Sequence, residues 1–432
     1  NISRRRDMVS AVALDEGEGA VPRGSIGFAL RHGARQQKLG LLSRGLCSSH
    51  KEVLGLDAPR AAPPPSRYPG RAMATFTQLT DATVGVSCHA WSPDGSQVAF
   101  APNSNELKIV DAKSNASKFS LNEHDMVIAA IDWHPTSNFI VTCSHDRNAF
   151  VWNYDEAENA WKPSLVILRI ERAALDVKWS PDGQKFAVAS SAKCVPVCYY
   201  EQDNNWWVSK MIKKHKSTVL AVAWHPNSQI VATGSSDFKA RVFSAHVAIV
   251  DAEQTAGDFA APVGFGEVYA EFPCAGWVHA VAYSPSGCVL AFAGHDASVH
   301  FAQFNTGGAP VVQTIRFPFL PLCQLLFLDE YKLVGAGHDM NPAVFANAGT
   351  WAFESFVDKK GEEKKAAASG SSVASKMAMW QNKDKTGSAA GAGAKEETAW
   401  LKHQGPITCL KHMGGNKFST TACDGRLVLW SA

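Results

Sequence analysis

The sequence predicts an all-β fold, a seven-bladed β-propeller, and three observations carry that expectation. Short runs of alternating apolar and polar residues, separated by turn signals, fill residues 73–432. A unit of about 40–45 residues recurs along them, the period of a four-stranded propeller blade. Within each unit the aromatic and aspartate positions keep a fixed spacing.

The unit is plainest in AIDWHPTSNFIVTCSHDRNAFVW (130–152), AVAWHPNSQIVATGSSDFKARVF (221–243) and AVAYSPSGCVLAFAGHDASVHF (280–301). Each reads as a strand, a turn with Pro, a strand, a turn with Asp and a third strand. Trp133 to Asp146, Trp224 to Asp237 and Tyr283 to Asp296 are each 13 residues, and Phe327 to Asp339 is 12. Six residues after the Asp come Trp152, Phe243 and Phe345, and Asp424 precedes Trp430 by the same six. His124 and His215 stand nine before Trp133 and Trp224, and His403 nine before His412. CHAWSPDG (88–95) and DVKWSPDG (176–183) open two further units. The seven units start near residues 82, 124, 170, 215, 277, 321 and 403. Spacing carries the assignment to the WD40 type of propeller, because no Trp-Asp dipeptide occurs.

A blade left open would expose unpaired strand edges. The chain ends two residues after Trp430, so the last unit has three strands of its own. The alternating run at 75–80 is the natural fourth, clasping one end of the chain to the other.

The recurring His and Asp read as structure, not chemistry. A repeated site is explained by a repeated fold, so a Ser/His/Asp recurrence is not a set of catalytic triads. The network that the resemblance to WD40 propellers implies is His to Asp, and His through a hydroxyl to Trp. A buried charge-assisted bond of this type contributes roughly 1.5–3 kcal/mol. The fullest set is His124, Ser144, Asp146 and Trp152. The second is His215, Ser235 and Asp237, ending in Phe243, which cannot donate. Asp296, Asp339, His403, Asp424 and Trp430 belong to the same series. Ser104 and Ala192 occupy the Asp position of the first and third units, which should lack the network.

Composition narrows the function. Hydrophobic content of 46% and charged content of 19% suit a large buried core. No apolar run is long enough to span a membrane. Residues 1–72 hold 12 Lys+Arg against 6 Asp+Glu, leaving 30 against 34 in 73–432. The basicity therefore sits in the first sixth, and the remainder lacks the balance of a nucleic-acid binder. Ten scattered cysteines form no CxxC pair, which points to a reducing compartment and away from zinc. Residues 1–72 lack periodicity and a signal-type apolar core. They read as a disordered or upstream extension, with Met73 as the natural start and 73–432 as the propeller.

Two insertions break the period. One, about 246–275, is Ala/Gly/Pro-rich and lies between the fourth and fifth units. The other, about 350–400, is long and separates the sixth blade from the seventh. Inside it, SKMAMWQNKDK (375–385) stands between flexible linkers. As a short helix it would carry Met377, Met379 and Trp380 on one side, with Lys383 and Lys385 flanking. It reads either as a loop or as a peptide that folds on a partner. KMIKKHK (210–216), with Lys210, Lys213, Lys214 and Lys216, reads as a solvated edge or a docking patch for an acidic tail. There is no GxGxxG, GxxxxGK[ST] or HExxH.

Several runs carry a more specific likeness. SHDRNAFVW (144–152), LVILRIERAALDVKWSP (165–181), KFAVASSAKCVPVCYYEQDNNWWVSKMIKK (185–214) and STVLAVAWHPNSQIVATGSSDFKARVFSA (217–245) resemble the WD40 subunit of the actin-related protein 2/3 complex, subunit 1. The likeness covers about 82–432, and both insertions fall where that family has them. Departures are the 1–72 extension, Asp176 in place of a small or apolar residue, and a divergent long insertion.

The resemblance implies a non-catalytic scaffold in a complex that nucleates branched actin filaments. It implies other subunits, the actin filament and activators of the WASP family as partners, and a cytoplasmic location on the actin cytoskeleton. No cofactor is implied, since nucleotide belongs to the actin-related subunits. In the family the long insertion carries a protruding helix proposed to contact actin, a position matched here by 375–385. The competing expectation is a WD40 adaptor of another assembly, such as a ubiquitin ligase substrate receptor. A third, an enzyme using the central channel, would need converging carboxylates or metal ligands at the strand entrances.

Overall fold

The computed structural model describes residues 75–359 and 401–432, apart from 82, 252, 256, 258, 260, 306 and 307. Among them the regular elements are all β-strands, arranged as seven four-stranded antiparallel sheets. Six sheets are built from consecutive strands, spanning 88–121, 128–166, 174–212, 219–273, 278–316 and 322–356. The seventh joins Ile407–His412, Lys417–Ala422 and Arg426–Ser431 to Thr75–Gln78. Phe76 pairs with Val428, so the edge of the last blade is closed by a strand from the other end of the chain. This is a seven-bladed propeller, and the closure removes the edge that an incomplete seventh blade would expose.

Each blade is built on the same local rules. The first strand faces the central channel and packs on the first strands of its neighbours. Six of these seven inner strands bulge between their first and third residues. A bulge adds one residue and increases twist, which suits a blade that must fan outward from a narrow centre. The second strands are buried throughout in Lys185–Ser190, Ile230–Ser235 and Val289–Gly294. Outer strands alternate with solvent, as in Val311–Arg316.

The WHP and SPDG motifs explain how neighbouring blades interlock. His134 Nε2 donates to the Gly183 carbonyl of the next blade at 3.1 Å. A Cβ on Gly183 would fall 2.1 Å from that imidazole, and the residue sits at φ +74°. His225 and Gly287 repeat the arrangement between the fourth and fifth blades, with the same 2.1 Å approach and φ +85°. Glycine is required there both for the left-handed turn and for the close packing.

The insertions are narrower than the spacing predicts. Val268–Pro273 is the outer strand of the fourth blade and Trp351–Phe356 that of the sixth, so neither segment is inserted. Their alternation is weak, each having only one buried residue, so spacing alone places them in the excess. The excess lies within 246–267 and joins the third strand of the fourth blade to its outer strand, not the fourth blade to the fifth as the spacing predicts. It is anchored by Asp251, whose carboxylate pairs with Lys185 on the second strand of the third blade. The long excursion starts after the sixth blade, and its base is pinned. Asn341 and Asp358 exchange two hydrogen bonds of 2.9 and 3.0 Å, and Lys402 N donates to Asp358 Oδ2 at 2.8 Å. Residues 1–72, Met73, and the 375–385 island with Met377, Met379, Trp380, Lys383 and Lys385 lie outside the described residues.

Candidate functional site

The second and seventh blades hold complete polar relays. Trp152 Nε1 donates to Thr142 Oγ1 at 3.0 Å, Thr142 meets His124 Nε2 at 2.8 Å, and His124 Nδ1 meets Asp146 Oδ2 at 2.7 Å. Burial holds the His124 pKa below its ordinary value, against the pull of Asp146. The neutral ring therefore carries its proton on Nδ1, facing the carboxylate, and Thr142 donates to Nε2. Asp146 also accepts from the backbone N–H of Asp125 and of Asn148, which ties the loop before the blade to its hairpin. Trp430, Thr420, His403 and Asp424 repeat the relay at 2.7, 2.7 and 3.2 Å.

The relay hydroxyl is Thr142, not Ser144. Ser144 instead donates to the Met126 carbonyl and accepts from the Asp146 N–H. In the fourth blade it is Thr233 that meets His215, at 2.9 Å, while Ser235 donates to the Thr218 carbonyl. Strand alternation gives the reason. A residue two positions earlier on the second strand faces the same side but lies one rung nearer the Trp.

The fourth blade departs further. Asp237 is held by Arg241 Nη1 at 2.8 Å and by the Lys216 N–H, and His215 Nδ1 is buried with no hydrogen-bond partner. Burial first, then Arg241, pushes the His215 pKa down to about 4. In the fifth blade Cys274 stands 22 residues before Asp296, where His stands in the second and fourth. Asp296 accepts from Ser298 Oγ at 2.6 Å, and Ser298 meets His300 on the third strand at 2.8 Å. Asp339 accepts from the Leu320 N–H at 3.0 Å.

The central channel holds a cavity of about 420 Å³ lined by the inner strands. Its charged lining residues are paired: Lys178 lies 3.9 Å from Asp176, and Lys411 pairs with Asp132 on the inner strand of the second blade. Asp132 accepts from Lys411 Nζ at 2.6 Å and from the Trp179 N–H of the next blade at 2.8 Å. Asp176 accepts from the Val222 N–H of the fourth blade at 3.1 Å. That explains an acid where the family pattern suggested a small residue: it bridges two blades. Among the described residues no group of His, Cys, Asp and Glu is arranged to hold a metal ion.

Of the rim lysines, Lys210 Nζ sits 4.5 Å over the Phe265 ring and Lys214 pairs with Glu267 at 3.4 Å. Both are engaged by the segment that joins the third and outer strands of the fourth blade. Lys216 contributes its backbone N–H to Asp237 and keeps its side chain exposed. Lys213 borders a cleft of about 510 Å³ with Arg169, Arg172 and Lys193. Sequence reasoning did not gather these four, because they come from three loops. The one available signal was Ala192, read only as a missing network.

Comparison with known proteins agrees with this architecture. The WD domain, G-beta repeat model matches residues 115–153 and 206–244. Actin-related protein 2/3 complex subunit 1B of Arabidopsis thaliana is 42% identical over 365 residues, covering 80% of this chain and 93% of that protein. The family is decided by that match. The chain belongs to the subunit 1 family of the actin-related protein 2/3 complex. Subunit 1A-B of Xenopus laevis is 40% identical, over 80% of this chain and 93% of its own length. Subunit 1 of Schizosaccharomyces pombe is 36% identical, over 79% and 96%. These three relatives align with this chain along 93% or more of their own lengths. No described helix is long and apolar enough to cross a membrane.

Proposed function

We propose that this chain is the propeller subunit of an actin-related protein 2/3 complex, a non-catalytic platform that supports nucleation of branched actin filaments. The observation that carries the reading is the 42% identity to a named subunit 1 over 93% of that protein's length. The structure supports a platform in two ways. The recurrent His and Asp are engaged in holding turns to loops. The channel carboxylates Asp132 and Asp176 are bonded to backbone amides of the neighbouring blades and to Lys411, a role in holding the ring together.

On this reading the partners are the other subunits, the actin filament and WASP-family activators, and the protein works in the cytoplasm on the actin cytoskeleton. Met377, Met379 and Trp380, flanked by Lys383 and Lys385, would be the actin-contacting part of the insertion. Lys213 and Lys216 are the rim lysines left free to meet an acidic activator segment. No cofactor is required.

The test is affinity capture of the tagged chain from extract with quantification of stoichiometric partners. Two actin-related proteins and several small subunits are expected. A ligase adaptor, or no stoichiometric partner, would overturn the assignment. In the reconstituted complex, Trp380→Ala is expected to leave assembly intact and lower branch density, and full branching would remove the insertion from the mechanism.

A further inference from the structure

The third blade lacks the residues that close the turn in the second, fourth and seventh blades. Ile170 and Ala192 stand 22 apart, where the second and fourth blades have His and Asp. Ala192 cannot accept from the loop backbone as Asp146, Asp237 and Asp424 do. The space is instead a cleft of about 510 Å³. Its lining includes Arg169, Arg172, Lys193 and Lys213, with Glu171 the one carboxylate. Four cations against one carboxylate leave a local charge of +3 in a chain segment, 73–432, whose net charge is −4. All four cationic side chains are exposed, and among the described residues none makes an ion pair. Lys193 and Arg169 lie at φ +63° and +55°, both in the left-handed region. His215, with its unsatisfied Nδ1, borders the same cleft.

We propose that this cleft is a binding site for a phosphorylated peptide segment of a partner protein, with the phosphate monoester among Arg169, Arg172, Lys193 and Lys213. Two guanidinium groups and two ammonium groups around one small volume suit a compact dianion with several acceptor oxygens. Arginine can grip such a group in bidentate fashion, and lysine adds point charge. The rest of the lining argues for a peptide in place of free phosphate. Buried Ile170, half-buried Met211 and Ala192 offer apolar contact to residues beside the modified one. Phospho-motif recognition by arginine clusters works in this way. The site needs no other subunit, so the inference stands apart from membership of the complex.

The experiment uses the full chain, immobilised, and a degenerate heptapeptide library centred on phosphoserine. Matching libraries centred on serine and on glutamate, and inorganic phosphate as competitor, complete it. The phosphoserine library is expected to be retained at least tenfold over both others. Ala192→Asp, which restores the acid of the sister blades, should cut that retention at least tenfold with the melting temperature held. Arg172→Ala with Lys193→Gln, both at exposed positions, should do the same and guards against a misfolded single variant. Equal retention of the three libraries would overturn the proposal. So would retention untouched in the Ala192→Asp and double variants alike, which would place binding elsewhere. Full displacement by micromolar inorganic phosphate would reduce the cleft to a simple anion site and overturn the peptide reading.

Discussion

The second and third blades share a backbone plan and hold themselves together by different means. In the second, Asp146, His124, Thr142 and Trp152 form one relay from the hairpin turn to the blade's far edge. In the third, Ala192 and Ile170 stand in place of the acid and the imidazole of that relay, and among the described residues no equivalent bonds are made. What the third blade has is Lys185, fully buried, paired with the buried carboxylate of Asp251 from the segment before the outer strand of the fourth blade. Lys185 also donates to the Ala245 carbonyl and lies 5.6 Å from the Trp224 ring. The difference shows that the blade tolerates loss of its local network when a long-range contact replaces it. It also shows what the loss exposes, a turn with cations in place of an acid.

The largest expected effect comes from removing the long-range contact. Asp251→Ala leaves the Lys185 ammonium buried without its counter-charge and should destabilise the protein by about 3–5 kcal/mol. A shift in denaturation midpoint equivalent to under 1 kcal/mol would break the comparison, since the third blade would then need neither device.

Acid should act next. The His215 pKa is pushed down to about 4 in the folded chain against the ordinary 6.5 of the free side chain. A depressed histidine pKa means that the unfolded chain binds the proton first. Its contribution to stability is therefore present above pH 6.5 and is lost as pH falls from 6.5 toward 4, at no more than about 1.4 kcal/mol per pH unit. Burial lowers the His124 pKa too, so the second blade pushes in the same direction. Urea denaturation across that range should show falling stability, with a shallower slope in His215→Gln. Identical slopes would mean that the ring titrates alike in both states.

The relay itself sets a finer contrast. Thr142→Val removes the hydroxyl shared by His124 and Trp152 and should cost about 1–3 kcal/mol. Ser144→Ala removes a bond to the Met126 carbonyl and should cost about 0.5–1.5 kcal/mol. The reverse order would return the relay to Ser144. The smallest effect is expected from Ala192→Asp, within about ±1 kcal/mol, because it adds an acceptor to a turn that already folds without one. A large loss of stability there would mean that the third turn differs from its sisters in backbone, not only in side chain.

The strand count and the closing strand were legible from residue spacing, because a repeat fixes its period in one dimension. Trp133 to Asp146 and Trp224 to Asp237 carry the same 13 residues because the same hairpin separates them. The insertions were overestimated where the outer strands Val268–Pro273 and Trp351–Phe356 alternate weakly, since a strand that buries a single residue leaves a faint pattern. Choosing Ser144 over Thr142 was an error of face and depth. Both residues point to the same side of one strand, and only the packed blade shows which one lies between the imidazole and the indole.

The sequence by itself determined the architecture, the family, and the positions at which each blade keeps or loses its Asp. Those are properties of order along a chain, and spacing records them. The tertiary structure decided which polar groups meet. Lys185 and Asp251 lie 66 residues apart, and Asp132 reaches Lys411 from across the ring. It also decided that Arg169, Arg172, Lys193 and Lys213 border one cleft. Contacts between loops of different hairpins depend on how the blades fan around the channel, a three-dimensional rotation that no one-dimensional period contains.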